Sequence, residues 1–134
     1  MRLVLDANVV LSAGLRDGSV RRALTDTDAD LFAPAFLRQE LDKHLPAIAR
    51  RAGVSVADAR TALDRLLADV TWIPDDVVKE RWDEAYRSIG NVDEKDVPYL
   101  ACALAVKADA IWSFDNHFDE QQLVPRVTQP RAKR

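Results

Sequence analysis

The sequence has only one cysteine, two histidines and four glycines, and it contains no long apolar run. Cys102 alone cannot form an internal disulfide, and its helical, apolar surroundings predict a buried, inert thiol. Isolated ligands of this kind do not favour a structural zinc site. No stretch approaches the roughly 18 apolar residues of a membrane span, and Asp6 interrupts the first apolar run before it could form a signal-peptide core. These absences predict a soluble, cytoplasmic protein.

The composition is typical of one globular domain. The chain has 134 residues, of which 48% are hydrophobic and 31% charged, a balance typical of globular proteins. We therefore expect a single domain over residues 1–134 with a short basic tail at 126–134, which carries Arg126, Arg131, Lys133 and Arg134. A solvated end explains this tail more simply than phosphate binding. The net charge of −3 does not indicate a broadly basic nucleic-acid surface.

Short apolar runs alternate with helical spacing along the whole chain. The runs predict strands at residues 3–5, 30–34, 70–73, 110–113 and 126–128. Helical periodicity lies between the first four strands, and a short helical turn is predicted at 116–122. This alternation predicts an α/β fold, a three-layer α/β/α sandwich with a central, mostly parallel sheet of four to five strands.

Capping residues and apolar runs predict several element boundaries. Residues 9–11 continue the first apolar run, so we expect a buried strand followed by a turn there. Ser19 is the expected N-cap of a helix reaching residue 25, and Ser55 that of a later helix. Gly53 is expected to end the helix that begins at residue 35. A single helix is predicted after residue 75, ending at Gly90.

Four acidic residues occupy positions that the predicted fold would bring close together. Asp6 and Asp115 follow directly after predicted strands, at the sheet edge where sites of such folds form. Asp96 begins a helix, and Glu40 lies at the margin of an apolar helical stripe. Taken alone, Asp6 and Asp115 could cap the elements that follow them. Equally, Asp96 could complement a helix dipole, and Glu40 could be solvated.

A cluster of these carboxylates has a definite chemical implication. Clustered carboxylates repel one another and raise each other's pKa, and a divalent cation removes that repulsion. Oxygen ligands suit Mg²⁺ and Mn²⁺ better than zinc. An ion held in this way can activate water and stabilise the leaving oxygen of a phosphodiester. Phosphoryl chemistry is therefore the predicted reaction class.

The same acids lie in motifs that resemble those of the PIN domain family, a nuclease family that includes VapC-type toxins. Residues 3–12 resemble its opening strand-Asp-x-[Asn/Ser/Thr] motif, and residues 37–41 its helical glutamate. Residues 93–104 resemble its Asp-x-x-Asp helix start, and residues 108–118 its closing strand. The motifs occur in the family's order over nearly the whole chain. One departure is Phe114, where the family often has Arg or Lys, and it removes one phosphate contact.

The resemblance implies a PIN-like fold and an endoribonuclease that depends on Mg²⁺ or Mn²⁺. The acids implied to be both catalytic and metal-binding are Asp6, Glu40, Asp96 and Asp115. Asn8 and Ser113 are implied as supporting groups that orient ligands or water. Asp93 is implied as an outer-shell or second-metal residue, with a plain helix-start acid as the alternative. Asp119 is a weaker candidate, for which a surface acid is the simpler interpretation.

The resemblance also implies an RNA substrate, single-stranded or structured, because a small acidic site needs an accessible backbone. It implies a toxin of a type II toxin–antitoxin pair, with an antitoxin partner and a homodimer. The leucines and alanines of residues 35–69 could form either surface, or simply the core. Arg16, Arg21 and Arg22 could contact phosphates, or they could form a solvated helix face.

Two other functions are compatible with parts of the sequence. Asp6-Ala7-Asn8 loosely resembles the Asp-x-Asp start of haloacid-dehalogenase-type phosphatases, but Asn8 replaces their second aspartate. A PIN-fold subunit with weak catalysis could instead serve mainly to form a complex. The presence of all four acids argues against an inactive site of that kind.

Overall fold

Five strands form one parallel sheet in the computed structural model, which describes residues 1–15 and 18–130. The strands are β1 (Arg2–Leu5), β2 (Asp30–Pro34), β3 (Thr71–Ile73), β4 (Ala110–Trp112) and β5 (Arg126–Val127). Their order across the sheet is β3-β2-β1-β4-β5, and every neighbouring pair is parallel. All five predicted strands are confirmed.

Helices occupy the connections between these strands. They are α1 (Ala7–Leu15), α2 (Gly18–Asp26), α3 (Ala35–Ala52), α4 (Val56–Leu66), α5 (Asp75–Lys79), α6 (Trp82–Ile89) and α7 (Val97–Ala105). Short 3-10 helices lie at Glu94–Asp96 and Asn116–Glu120. In the described part of the chain, no helix is both long and apolar enough to cross a bilayer.

The predicted caps of α3 and α4 are confirmed. Gly53 follows α3 with φ of 69°, the left-handed conformation that favours glycine. The amides of Gly53 and Val54 donate to the carbonyls of Arg50 and Ala49, which satisfies the end of the helix. Ser55 Oγ accepts a hydrogen bond of 3.0 Å from the Asp58 amide at the start of α4.

Three local predictions are wrong. Residues 9–11 lie in the helix α1 rather than in a strand and turn, because a short, fully apolar run has no periodicity that separates the two. The helix α2 already begins at Gly18, so Ser19 lies inside it. The single helix expected after residue 75 is two, since Arg81 leaves helical geometry with φ of −112° and ψ of 11°.

Helices cover both faces of the sheet. Leu3, Val4 and Leu5 in β1 are all 0% exposed, and successive strand residues point to opposite faces. The helix α7 packs on β1, β2 and β4, and it is buried from Val97 to Ala103. The predicted α/β/α sandwich is therefore confirmed. Cys102 lies inside α7, where burial raises the pKa of its thiol to about 12.

The strand order creates a switch point beside β1. The chain leaves β1 toward β2 and β3, and it later returns to the opposite side of β1 as β4. Connections that diverge from two neighbouring parallel strands leave a crevice at their carboxyl ends. The register pairs Leu5 with Trp112, so β1 and β4 end side by side at this crevice.

Candidate metal centre

One buried hydroxyl joins the ends of β1 and β4. Ser113, which is 0% exposed, donates from Oγ to Asp6 Oδ2 at 2.6 Å. The same oxygen accepts a hydrogen bond of 2.9 Å from the Asp115 amide. Asp6 Oδ1 accepts a hydrogen bond of 2.7 Å from the amide of Ala7, the first residue of α1. The two acids predicted at the strand ends are therefore brought close together.

Asn8 fixes the same junction from α1. Its Nδ2 lies 3.4 Å from Ser113 Oγ, and its Oδ1 accepts a hydrogen bond of 3.2 Å from the Phe114 amide. The Phe114 side chain is 41% exposed and offers no positive charge. Asn8 and Ser113 thus lie where supporting groups were predicted, and their role in catalysis stays a prediction.

Four residues next to this junction each offer one ligand atom, and these atoms all lie within 4.8 Å of one another. They are Asp93, Asp96, Asp115 and His117, and we call them the mixed cluster. Asp93 caps the 3-10 helix before α7, and Asp96 is its last residue. Asp115 caps the 3-10 helix after β4, and His117 is its second residue. In residues 1–15 and 18–130, Asp6 and Glu40 do not belong to this group.

Backbone amides hold two of the three carboxylates of the mixed cluster in place. Asp93 Oδ1 accepts a hydrogen bond of 3.0 Å from the Lys95 amide, and Asp115 Oδ1 accepts one of 2.9 Å from the His117 amide. In both residues the other oxygen, Oδ2, faces His117 Nδ1, at 3.7 Å and 3.3 Å respectively. The turns that anchor Oδ1 therefore direct Oδ2 into the cluster.

Two buried atoms of the mixed cluster have no hydrogen-bond partner in the described part of the chain. They are Asp96 Oδ2 and His117 Nδ1, which lie 3.4 Å apart. Buried polar atoms are nearly always paired, so each such atom needs an explanation. A cation that both atoms ligate would satisfy them together, and carboxylate oxygens suit a hard divalent ion. The residues present thus fit a divalent metal.

The charges at this crevice oppose ionisation of its carboxyl groups. The pKa of Asp96 is raised to about 7, first by burial and then by neighbouring carboxylates, of which Asp115 has the largest effect. Asp93 and Asp6 act in the same direction, whereas His117 opposes them. Burial also raises the pKa of Asp6, although hydrogen bonds to both its oxygens lower it. A bound cation would reverse this penalty.

Glu40 approaches from α3 without joining the mixed cluster. It is half-buried, and its Oε1 lies 3.5 Å from Lys43 Nζ. Its charge acts on the buried Tyr99 hydroxyl, whose pKa is raised by burial first and then by Asp6, Glu40 and Asp96. The phenol thus stays protonated among three carboxylates, and Glu40 lies on the same side of the sheet edge as the other acids.

Asp119 is engaged elsewhere. Its two oxygens accept hydrogen bonds of 3.0 and 2.9 Å from Arg126 Nε and Nη2. This pairing lowers the pKa of Asp119. Arg126 also donates to the Ser113 carbonyl at 3.3 Å and lies in β5. The prediction of a free basic tail is therefore wrong at Arg126, and Arg131, Lys133 and Arg134 lie outside the described residues.

The three arginines predicted near the first turn differ in what the structure describes. Arg21 Nη2 donates to the Ala13 carbonyl at 2.8 Å, so part of its guanidinium holds α1 against α2. Arg22 is exposed on α2, as a solvated helix face would require. Arg16 lies outside the described residues.

His117 is the member of this site that sequence reasoning missed. One signal was present, because His117 is one of two histidines in the chain and follows Asp115 by two residues. That spacing places both side chains on one tight turn, in which the aspartate accepts from the histidine amide.

Comparisons with known proteins agree with this fold. A family model described as PIN domain matches residues 4–125. The fold superposes with a TM-score of 0.74 on a chain of the crystal structure of VapBC2 from Rickettsia felis bound to a DNA fragment from their promoter. That match is 13% identical and covers 95% of this chain and 98% of the other, so it shows the fold alone. No curated protein sequence shows significant similarity.

Proposed function

Because the chain belongs to the PIN domain family, we propose that it is a metal-dependent ribonuclease that hydrolyses phosphodiester bonds in RNA. Mg²⁺ or Mn²⁺ is the proposed cofactor. The proposed catalytic and metal-binding acids are Asp96 and Asp115 in the mixed cluster and Asp6 and Glu40 beside it, supported by Asn8, Ser113 and Asp93. An ion held there supplies positive charge that activates water and stabilises the leaving oxygen.

The observation that carries the proposal is the buried, unpaired Asp96 Oδ2 among like charges. Asp96 is 5% exposed, and its Oδ2 has no hydrogen-bond partner in the described residues. A carboxylate in this state is costly unless a cation completes it. Asp115 and Asp6 come from neighbouring strand ends to the same point, which is also where ligands bind in open parallel sheets.

The chain's own side chains would position the substrate and the acids. Ser113 holds the Asp6 carboxylate in one orientation through its 2.6 Å hydrogen bond. Asn8 ties the segment after β4 to α1, because its side chain accepts a hydrogen bond from the Phe114 amide. The buried Tyr99 hydroxyl has no hydrogen-bond partner in the described residues, and burial and neighbouring carboxylates raise its pKa, so it is a donor available within the group of acids.

Single-stranded RNA is the proposed substrate form because an aromatic cleft adjoins the acids. The cleft, of about 460 Å³, is lined by the aromatic residues Phe36, Trp82 and Tyr86. Its charged lining residues are Lys79, Lys95, Asp75 and Glu94. Lys95 lies between two residues of the mixed cluster in the chain. Unpaired bases stack on aromatic side chains, and lysines contact the backbone phosphates.

A nuclease assay with matched variants tests this proposal. Labelled single-stranded RNA is incubated with the protein in Mg²⁺, in Mn²⁺ and in excess chelator. Asp6→Asn and Asp96→Asn should each lower the cleavage rate by more than about a hundredfold, since even outer-shell partners of a metal are worth 10–100-fold. Asp119→Asn is the control because its carboxylate pairs with Arg126 outside the cluster. Cleavage that persists in chelator, or equal rates in all variants, would reject the mechanism.

We further propose that the chain is the toxin of a type II toxin–antitoxin pair in the cytoplasm. One structural neighbour comes from a crystal structure of VapBC2 from Rickettsia felis bound to a DNA fragment from their promoter. An apolar groove of about 530 Å³ also lies where α1, α2, α3 and α4 meet, lined in part by Ile48, Ala62 and Leu66. An apolar groove of this kind can bind an amphipathic segment, and we propose an antitoxin segment or a second copy of the chain as its occupant.

Growth assays test the toxin role separately from the chemistry. Induced expression should arrest growth, and Asp96→Asn should abolish the arrest. Co-expression with the product of an adjacent small gene should relieve it. Ala62→Glu should prevent that relief, because it adds a carboxylate to the groove, whose lining includes no residue of the candidate metal centre. If the wild-type chain cleaves RNA in vitro but never slows growth, it is an RNA-processing enzyme and not a toxin.

A further inference from the structure

The imidazole of His117 is placed unusually for a surface histidine. Its side chain is 44% exposed, yet Nδ1 itself is buried and has no hydrogen-bond partner in the part of the chain that the structure describes. The exposed surface therefore belongs to the rest of the ring. In the neutral ring that carries its proton on Nε2, Nδ1 offers a lone pair to the cluster and can ligate a cation.

The two shortest distances around Nδ1 are those of ligands that share one ion. Nδ1 lies 3.3 Å from Asp115 Oδ2, 3.4 Å from Asp96 Oδ2 and 3.7 Å from Asp93 Oδ2. A hydrogen bond to nitrogen is normally about 2.7–3.2 Å long. Two atoms bound about 2.1–2.2 Å from one ion, at octahedral or tetrahedral angles, lie about 3.0–3.6 Å apart. The separations from Asp115 and Asp96 fall within this second range, and the separation from Asp93 lies 0.1 Å beyond it.

The surroundings of the ring fix it in this orientation. The His117 amide donates to Asp115 Oδ1, so both side chains are held on one turn after β4. Opposite them, the Asp96 side chain is only 7% exposed and its Oδ2 is also unpaired in the described ranges. Two unpaired buried atoms from different segments, one of them on a nearly fully buried carboxylate, therefore point to one shared ligand.

We propose that His117 Nδ1 directly ligates the divalent ion of this site, together with Asp93, Asp96 and Asp115, and that the site therefore prefers Mn²⁺ over Mg²⁺. This inference rests on the proposed metal dependence. Mg²⁺ is strongly selective for oxygen ligands and keeps much of its water, whereas Mn²⁺ accepts an imidazole nitrogen more readily. Asp93 then changes from an outer-shell candidate to a direct ligand.

Electron spin echo envelope modulation of bound Mn²⁺ tests the inference without any activity readout. The full chain is loaded with one equivalent of Mn²⁺, and modulation from a directly bound ¹⁴N is recorded. Wild type and His44→Asn should both show the nitrogen signal, and His117→Asn should lose it. His44 is the matched control because it is the other histidine of the chain and lies exposed on α3.

Binding measurements provide the second readout. In calorimetry, His117→Asn should weaken Mn²⁺ binding by at least the roughly tenfold that an outer-shell change costs. Its effect on Mg²⁺ binding should be several-fold smaller. Circular dichroism and thermal melting of each variant show that the fold is intact.

The outcomes separate this inference from the proposed function. Bound Mn²⁺ without nitrogen modulation, or modulation that survives in His117→Asn, overturns the role of His117 and leaves the ribonuclease proposal in place. Mn²⁺ that stays free in solution in the presence of excess wild-type protein overturns both. Loss of the nitrogen signal in His117→Asn alone supports the inference.

Discussion

At the scale of single residues, the folded protein destabilises the ionised carboxylate of Asp96 unless a positive charge compensates it. It is 5% exposed, its Oδ2 is unpaired in the described residues, and its pKa is raised to about 7 by burial and by Asp115. In the unfolded chain an aspartate has a pKa near 3.9. The metal-free fold therefore favours the protonated acid.

This difference in pKa predicts a pH dependence of stability for the metal-free protein. Between pH 4 and 7 the folded state keeps a proton that the unfolded state releases, so the free energy of unfolding falls as the pH rises through this window. The loss from Asp96 should be on the order of 4 kcal/mol. Urea unfolding in chelator at several pH values measures it.

Asp96→Asn is the control for this prediction because asparagine does not titrate. Relative to wild type, the variant should gain stability between pH 4 and 7 and show a constant difference above that range. Saturating Mn²⁺ should reverse the trend for wild type only, since the ion binds the carboxylate form. A wild-type minus variant difference that does not change with pH would contradict the raised pKa.

At the scale of elements, the boundaries of α3 and α4 depend on local chemistry that the sequence carries. Gly53 supplies the left-handed residue after α3, and Ser55 supplies the cap of α4 two residues later. Pro46 lies inside α3, yet the helix continues, and the residue is on the exposed face. The missing hydrogen bond is thus on the side that water can reach.

The N-cap of α4 gives a testable energy. Ser55→Ala removes the acceptor of the Asp58 amide and should lower the free energy of unfolding by about 1 kcal/mol. Thr61→Ala is the matched control on the same helix, because its hydroxyl bonds only the carbonyl of Ala57 one turn earlier. That change should stay within about 0.5 kcal/mol of wild type. Equal losses in the two variants, measured by urea unfolding, would show that the cap is not used.

At the scale of the whole molecule, the candidate metal centre ties together distant parts of the chain. Asp6 follows β1, Asp96 precedes α7 and Asp115 follows β4, so the site exists only in the folded state. A ligand that binds the folded state alone stabilises it through mass action.

Mn²⁺ should therefore raise the melting temperature of the protein. At a hundred times its dissociation constant, the ion contributes about 2.7 kcal/mol, which corresponds to a shift on the order of 10 °C for a domain of this size. Differential scanning calorimetry measures the shift. Asp119→Asn should show the same rise as wild type, and Asp96→Asn should show little or none. A rise that is equal in Asp96→Asn would place the bound ion outside this site.

The sequence by itself determined the sheet and the positions of the strand-end acids. Short apolar runs indicate the first four strands, and an aspartate just after such a run lies near the carboxyl ends of the parallel strands. Asp6 and Asp115 were predictable for this reason, as were the caps at Gly53 and Ser55. The helical conformation of α1 was not predictable, because Val9 and Val10 are buried and a buried strand would show the same apolar residues.

Only the tertiary structure decided which atoms of these residues meet. The sequence gives no distance between Asp93 and His117, which lie on different turns and are brought together by the packing of α7 against β1 and β4. It also gives no sign that Asp119 pairs with Arg126 or that Glu40 stands apart from the mixed cluster. Burial and like charge acquire their effect on pKa only after folding, since both depend on distances between residues far apart in the chain.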